Sequence, residues 1–326
     1  MHIDLKQMKV PFRKRLGSKM PNALKTPYAI GIYVIILILL PLIIKQSYII
    51  HVAILFLYYA TLAVSLDLNL GLMGILNFGQ IGFAAIGAYT VGIFTLSIWH
   101  EWWGFWLALI IGGIIASIVG VLVGLCAFRI RGIYFCIVSF GFGEIIRYIA
   151  LNWTSLTRGP LGLPSIPSPK IFSMQFTSPT FFYWLILIIA LVTLLLSLRM
   201  KNSYLGRAWI AIREDETAAE FMGINLVRYK IINLVISGFI AAIAGGFLAG
   251  YISFINPQSF ISNESLNLAI MVIIGGAGTI FGPILGAAIL IIIPEILRPV
   301  ADYRMLVFGV VVLLFMIFRP KGVLGK

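Results

Sequence analysis

The sequence predicts an all-α polytopic integral membrane protein with about 8–10 transmembrane helices, and three observations carry that prediction. Of its 326 residues, 61% are hydrophobic and 11% are charged, whereas a soluble domain carries about 25% charged residues. Apolar runs of about 20 residues, enough to span a bilayer as helices, recur along nearly the whole length. These runs are continuous and do not alternate apolar with polar at every second position, so helices are expected and not the strands of a barrel.

The basic residues place the runs. Net charge is +13, and the Lys and Arg residues gather in the first 27 residues, at Arg129 and Arg131, in residues 199–230, and at Arg319, Lys321 and Lys326. All four places flank apolar runs, as the positive-inside rule requires, and are assigned to the cytoplasm. That distribution argues for a bilayer as partner and against nucleic acid. Residues 1–27 read as a basic cytoplasmic arm and 28–326 as one membrane-spanning domain. The first apolar run ends in Lys45-Gln46-Ser47 without an A-x-A site, so it reads as an uncleaved helix.

In order, 28–44 is expected to cross outward, 48–66 to return, 72–98 to leave and 105–128 to return. Residues 133–153 then lead out to a loop rich in Pro and Gly, where no helix is expected. Residues 181–198 return to the cytoplasm, and 231–255 cross outward again. A final span at 305–318 precedes the basic C-terminus. Parity therefore requires 266–297 to enter and leave on the outer side. Broken by GGAGTIFGP, it reads as two half-helices of a re-entrant hairpin. The glycines Gly71, Gly74, Gly79 and Gly82 echo Gly275, Gly278, Gly282 and Gly286 in spacing. Gly-interrupted apolar segments in both halves suggest either a repeat lining a substrate path or simple close helix packing.

Few polar groups lie inside the apolar runs. Asn69, Asn77 and Gln80 can bind the ends of a zwitterion or join helices. Glu144 and Arg147, three residues apart on one helix face, can form a structural ion pair or line a pathway. With Gly275, Gly276 and Gly278 of the second break, these are the candidate path residues. Cys126 and Cys136 lie in apolar sequence, with no disulfide or metal-ligand spacing. No catalytic constellation and no metal site is expected.

Residues 199–230 form a polar island between apolar runs, with six basic and four acidic side chains. It reads as helix, polar turn and helix. Glu214, Asp215 and Glu216 favour a helix N-terminus, and Gly223 suits the left-handed position that ends one. Ala218, Ala219 and Met222 would give the short helix a flat face for another protein. There is no G-x-x-x-x-G-K-[ST] motif, so any use of ATP falls to a partner.

The island SYLGRAWIAIREDETAAEFMGINLVRYK resembles the cytoplasmic loop of the LivM-type permeases of branched-chain amino acid ABC importers. The stretches LNLGLMGILNFGQIGFAAIGAYT, NPQSFISNESLNLAIMVIIGGAGTIFGPILGAA and DYRMLVFGVVVLLFMIFRPKGVLG extend the resemblance over roughly 45–325. It implies an ABC importer permease fold in a bacterial inner membrane with both termini cytoplasmic. It also implies a homologous H-type permease, two cytoplasmic P-loop ATPases that bind the ATP and Mg, and an extracytoplasmic binding protein. Gly206, Arg207, Arg213, Glu214, Asp215, Glu216, Ala218, Ala219 and Gly223 then become the candidate coupling residues. Arg158 and Leu161 depart from the family pattern, standing where Gly and Asn are common. A related urea or short-chain amide permease, and a stand-alone ion-coupled carrier, are the alternative readings.

Overall fold

The computed structural model describes residues 46–98, 103–129, 134–171, 174–175 and 178–296, with Pro41, Gly309, Leu313, Phe318, Arg319 and 322–324. The expected basic arm and the expected spans at 28–44 and 305–318 lie outside the described residues, but for isolated positions. Among the described residues, six helices are long and apolar enough to cross a membrane.

The first is α1 (Ser47–Asp67), continued by a π-helical turn at Leu68–Leu72. The chain then loses regular structure until α2 (Gln80–Ser97). The expected span 72–98 therefore starts eight residues late. Residues 73–79 are mostly apolar, with Met73, Ile75, Asn77 and Gly79 buried, and apolarity alone does not distinguish buried irregular chain from helix. Helices α3 (Gly104–Arg129) and α4 (Tyr134–Asn152) follow close to expectation.

The Pro-rich loop after α4 departs from the expectation of no helix. It holds a single helical turn, α5 (Thr154–Thr157), a 3₁₀ turn at Gly159–Leu161, and three two-residue strands, β1 (Leu163–Pro164), β2 (Lys170–Ile171) and β3 (Met174–Gln175). Proline fits here because it occupies the start of the 3₁₀ turn, where no helical N–H is needed. Arg158 joins the two turns in the left-handed region, with φ of 59°, the conformation that glycine adopts without strain.

Helix α6 (Pro179–Asn202) leads into α7 (Tyr204–Glu214) and the short α8 (Glu216–Phe221), the helix–turn–helix expected of the island. Helix α9 (Leu226–Ile252) follows, five residues longer at its start than its apolar run, and β4 (Phe254–Ile255) ends it. Strand β1 pairs antiparallel with β4, Leu163 opposite Ile255, so the loops after α4 and α9 share one side, as the topology requires. The broken segment is a hairpin of α10 (Ser262–Gly275) and α11 (Phe281–Ile296), packed against each other. At 14 and 16 residues, neither reaches the ~20 residues of a full crossing.

Small residues let the core helices touch backbone to backbone. A side chain at Gly87 would collide with the Ala242 carbonyl, and one at Gly245 with that of Ala84, so α2 and α9 cross without intervening side chains. These two spans are the most enclosed. Helices α3, α4 and α6 turn most of their surface outward.

Candidate functional site

The candidate coupling segment is built as a pinned surface helix. Asp215 caps α8, its carboxylate accepting from the amides of Thr217 at 2.9 Å and Ala218 at 3.0 Å. At the other end Gly223, with φ of 84°, donates to the Glu220 carbonyl while Ile224 donates to that of Ala219. This pair of bonds is the Schellman ending expected at that glycine. Glu216 pairs with the buried Lys230 at 2.8 Å. Trp209, fully buried on α7, donates from Nε1 to the Tyr229 carbonyl. Both contacts fix the segment to the start of α9.

One face of α8 is thereby committed inward. Ala219 is buried, so the expected Ala218–Ala219–Met222 face does not form. Phe221 and Met222 are instead 87% and 82% exposed, beside exposed Ala218 and Glu220. Phe221, an apolar side chain in a charged island, was the overlooked signal. Gly206 lies where a side chain would strike the carbonyls of Met200 and Lys201, so it tightens the corner between α6 and α7. Arg207 donates to the Asn202 carbonyl at 3.3 Å and takes no part in α8.

Asn69, Asn77 and Gln80 come together and are buried. Gln80 Oε1 accepts from Asn77 at 3.1 Å and Asn69 at 3.4 Å, and its Nε2 donates to Ser65 Oγ at 2.7 Å. Ser237 of α9 donates to Asn69 Oδ1 at 3.1 Å. Their polar atoms bond to one another and tie the π turn to α1, α2 and α9. Ser65 and Ser237 were not foreseen, because a serine in a helix gives no sign of its partner.

Glu144 and Arg147 form the expected pair at 2.7 Å, some distance along α4. The other carboxylate oxygen of Glu144 accepts from the Ser262 amide at 3.3 Å, at the positive N-terminal end of α10. Both side chains keep partial exposure on the flank of α4.

The two glycine-rich breaks meet. A side chain at Gly71 would overlap the Gly278 amide, and one at Gly278 would press on the Gly71 carbonyl. Three charged side chains surround this crossing. Asp67 accepts from the amides of Gly278 at 2.7 Å and Ile280 at 3.3 Å. Lys201 donates to the Gly278 carbonyl and Arg213 to the Gly71 carbonyl. Gly275 and Gly276 complete the hairpin tip, where the Gly275 carbonyl accepts from Leu324 and that of Ile274 from Val323. The hairpin tip thus lies at the end occupied by the polar island. Asp67 and Lys201 are the residues that sequence reasoning left without a role. Asp67 did carry a signal, as the lone acidic residue in 46–98.

Residues 48–317 match the family described as the permease component of the branched-chain amino acid transport system. The chain belongs to that family. The permease is 34% identical over 291 residues to the high-affinity branched-chain amino acid transport system permease protein LivM of Salmonella typhimurium, covering 82% of this chain and 67% of that one. To LivM of Escherichia coli it is also 34% identical, over 84% of this chain and 69% of the relative. The LivH permease of Salmonella typhimurium is 27% identical, over 82% of this chain and 91% of its own length. No solved structure matches the permease.

Proposed function

We propose that this permease is the M-type membrane subunit of an ATP-driven importer that carries leucine, isoleucine and valine across the bacterial cytoplasmic membrane. It works with an H-type permease, two cytoplasmic ATPases that hold the ATP and Mg, and an extracytoplasmic binding protein. Both of its termini face the cytoplasm, and the chain itself carries out no chemistry. The observation that carries the reading is α8: pinned on one side by Asp215, Glu216 and Trp209, it offers Phe221 and Met222 to water on the other. Two large apolar side chains side by side on a charged surface suit a pocket in another protein. Asp215 and Gly223 hold the helix, Glu216 anchors it, and Arg213 and Glu214 link it to the body.

The path for substrate runs past Glu144 and Arg147. A partly exposed ion pair within a membrane span faces protein or water and not lipid, so α4 lies toward the H-type permease. Asn69, Asn77 and Gln80 hold the first break from within, and Gly275, Gly276 and Gly278 give the second its compact turn.

Purification of the permease from its native membrane in mild detergent tests this. Wild type is expected to bring the H-type permease and ATPase subunits with it. Phe221→Asp with Met222→Asp is expected to lose the ATPases and keep the H-type permease. Recovery of the permease alone, with leucine uptake in vesicles lacking ATP, would sink the reading in favour of an ion-coupled carrier.

A further inference from the structure

Of the three charged residues around the glycine crossing, Asp67 and Lys201 have no part in docking or in a path for substrate, and Arg213 links the docking segment to the body. Asp67 is 1% exposed, and its two acceptor bonds go to the backbone just ahead of α11, where a negative charge complements the positive helix end. Arg213 and Lys201 bind carbonyls of the π turn and the hairpin tip, and their charges act on Asp67 as well. Gly278 is therefore gripped on both sides of its own residue: its amide by Asp67 of α1 and its carbonyl by Lys201 of α6.

Arg213 gives this junction its direction. It lies in the last turn of α7, two residues before the cap of α8, and also pairs with the exposed Glu214 at 3.0 Å. One side chain thus joins the exposed coupling segment to the Gly71 carbonyl, and Gly71 rests against Gly278. Arg213 of α7 and Lys201 of α6 thus hold two interruptions of α-helical bonding, the π turn and the hairpin tip. A displacement of α8 is passed to Gly71 through Arg213, beside the Glu216–Lys230 and Trp209–Tyr229 ties that carry it to the start of α9.

From this we infer that Asp67, Lys201 and Arg213 are positioning residues for transport, a latch that converts movement of the docked α8 into movement of the Gly71–Gly278 crossing and so of both broken helices. The inference rests on the ATP-driven reading above. Its signature is the amount of leucine carried per ATP hydrolysed, which a residue serving stability alone would leave unchanged in the molecules that remain assembled.

The experiment uses the complete complex reconstituted in vesicles, with radiolabelled leucine uptake and ATP hydrolysis measured together and normalised to assembled complex. Lys201→Met and Arg213→Gln are each expected to lower leucine carried per ATP by about tenfold, the upper part of the range for coupling residues. ATP hydrolysis stays within about twofold. Arg213→Lys, whose amine can still reach the Gly71 carbonyl, is expected to recover part of the loss. Variants that keep the wild-type ratio, whether or not less complex assembles, overturn the latch alone. A wild-type complex that carries no leucine, or holds no ATPase, overturns the reading beneath it.

Discussion

Two polar regions lie close together inside this apolar body, and they are built on opposite principles. The cluster of Ser65, Asn69, Asn77, Gln80 and Ser237 is neutral, buried and closed, its members bonding chiefly to one another. The junction of Asp67, Lys201 and Arg213 is charged, and its members bond to the backbone of the glycine breaks. Through Arg213 it runs on to the exposed surface. A closed neutral network rigidifies what it joins. Charges held by peptide groups at a π turn and a hairpin tip grip parts where regular α-helical bonding is interrupted. Sequence neighbours such as Asp67 and Asn69 can therefore serve opposite ends, one to move a break and the other to fix it.

Substitutions can break that contrast or sharpen it. The largest effect is expected where the regions share a boundary. Gly71→Val places branched carbon against Asp67 and Gly278 and should destabilise the permease by more than about 3 kcal/mol, seen as loss of monodisperse protein in detergent. Gln80→Leu removes the centre of the neutral cluster and leaves Asn69, Asn77 and Ser65 short of partners. A loss of about 2–4 kcal/mol is expected, read as a lower thermal midpoint, with leucine carried per ATP unchanged in the assembled fraction. A change in that ratio would show that the closed cluster also moves. Asp215→Ala, which takes the cap from α8, should cost about 1 kcal/mol, confined to faster hydrogen exchange at the Thr217 and Ala218 amides. The smallest effect lies far from both regions. Arg158→Gly relieves a left-handed backbone and should stabilise by about 1 kcal/mol, raising the thermal midpoint slightly.

The spans among the described residues were legible because a bilayer imposes length and apolarity on anything that crosses it. The hairpin was legible because parity and thirty-odd apolar residues left no other arrangement, and its tip because glycine and proline interrupt α10 and α11. The capping of α8 was readable from Asp215 and Gly223, whose chemistry is local. What escaped is non-local. Lys201 reads as an ordinary positive-inside marker at the end of a span, and nothing in its neighbourhood points to Gly278. Asp67 bonds to residues more than 200 positions away, and a single sequence carries no trace of such a pairing. The unwound residues 73–79 were hidden for another reason: buried irregular chain and buried helix have the same composition.

The hairpin tip also constrains how the chain is made. The carbonyls of Ile274 and Gly275, at the end of α10, accept from the amides of Val323 and Leu324. Chains are synthesised from the N-terminus, so α10 and α11 leave the ribosome well before the segment that satisfies them. Until it arrives, those helix-end carbonyls need water or another donor. The end of α10 at the hairpin tip is therefore satisfied only once the segment at 322–324 has been made and has docked, so the hairpin is assembled in two steps separated by the synthesis of everything between.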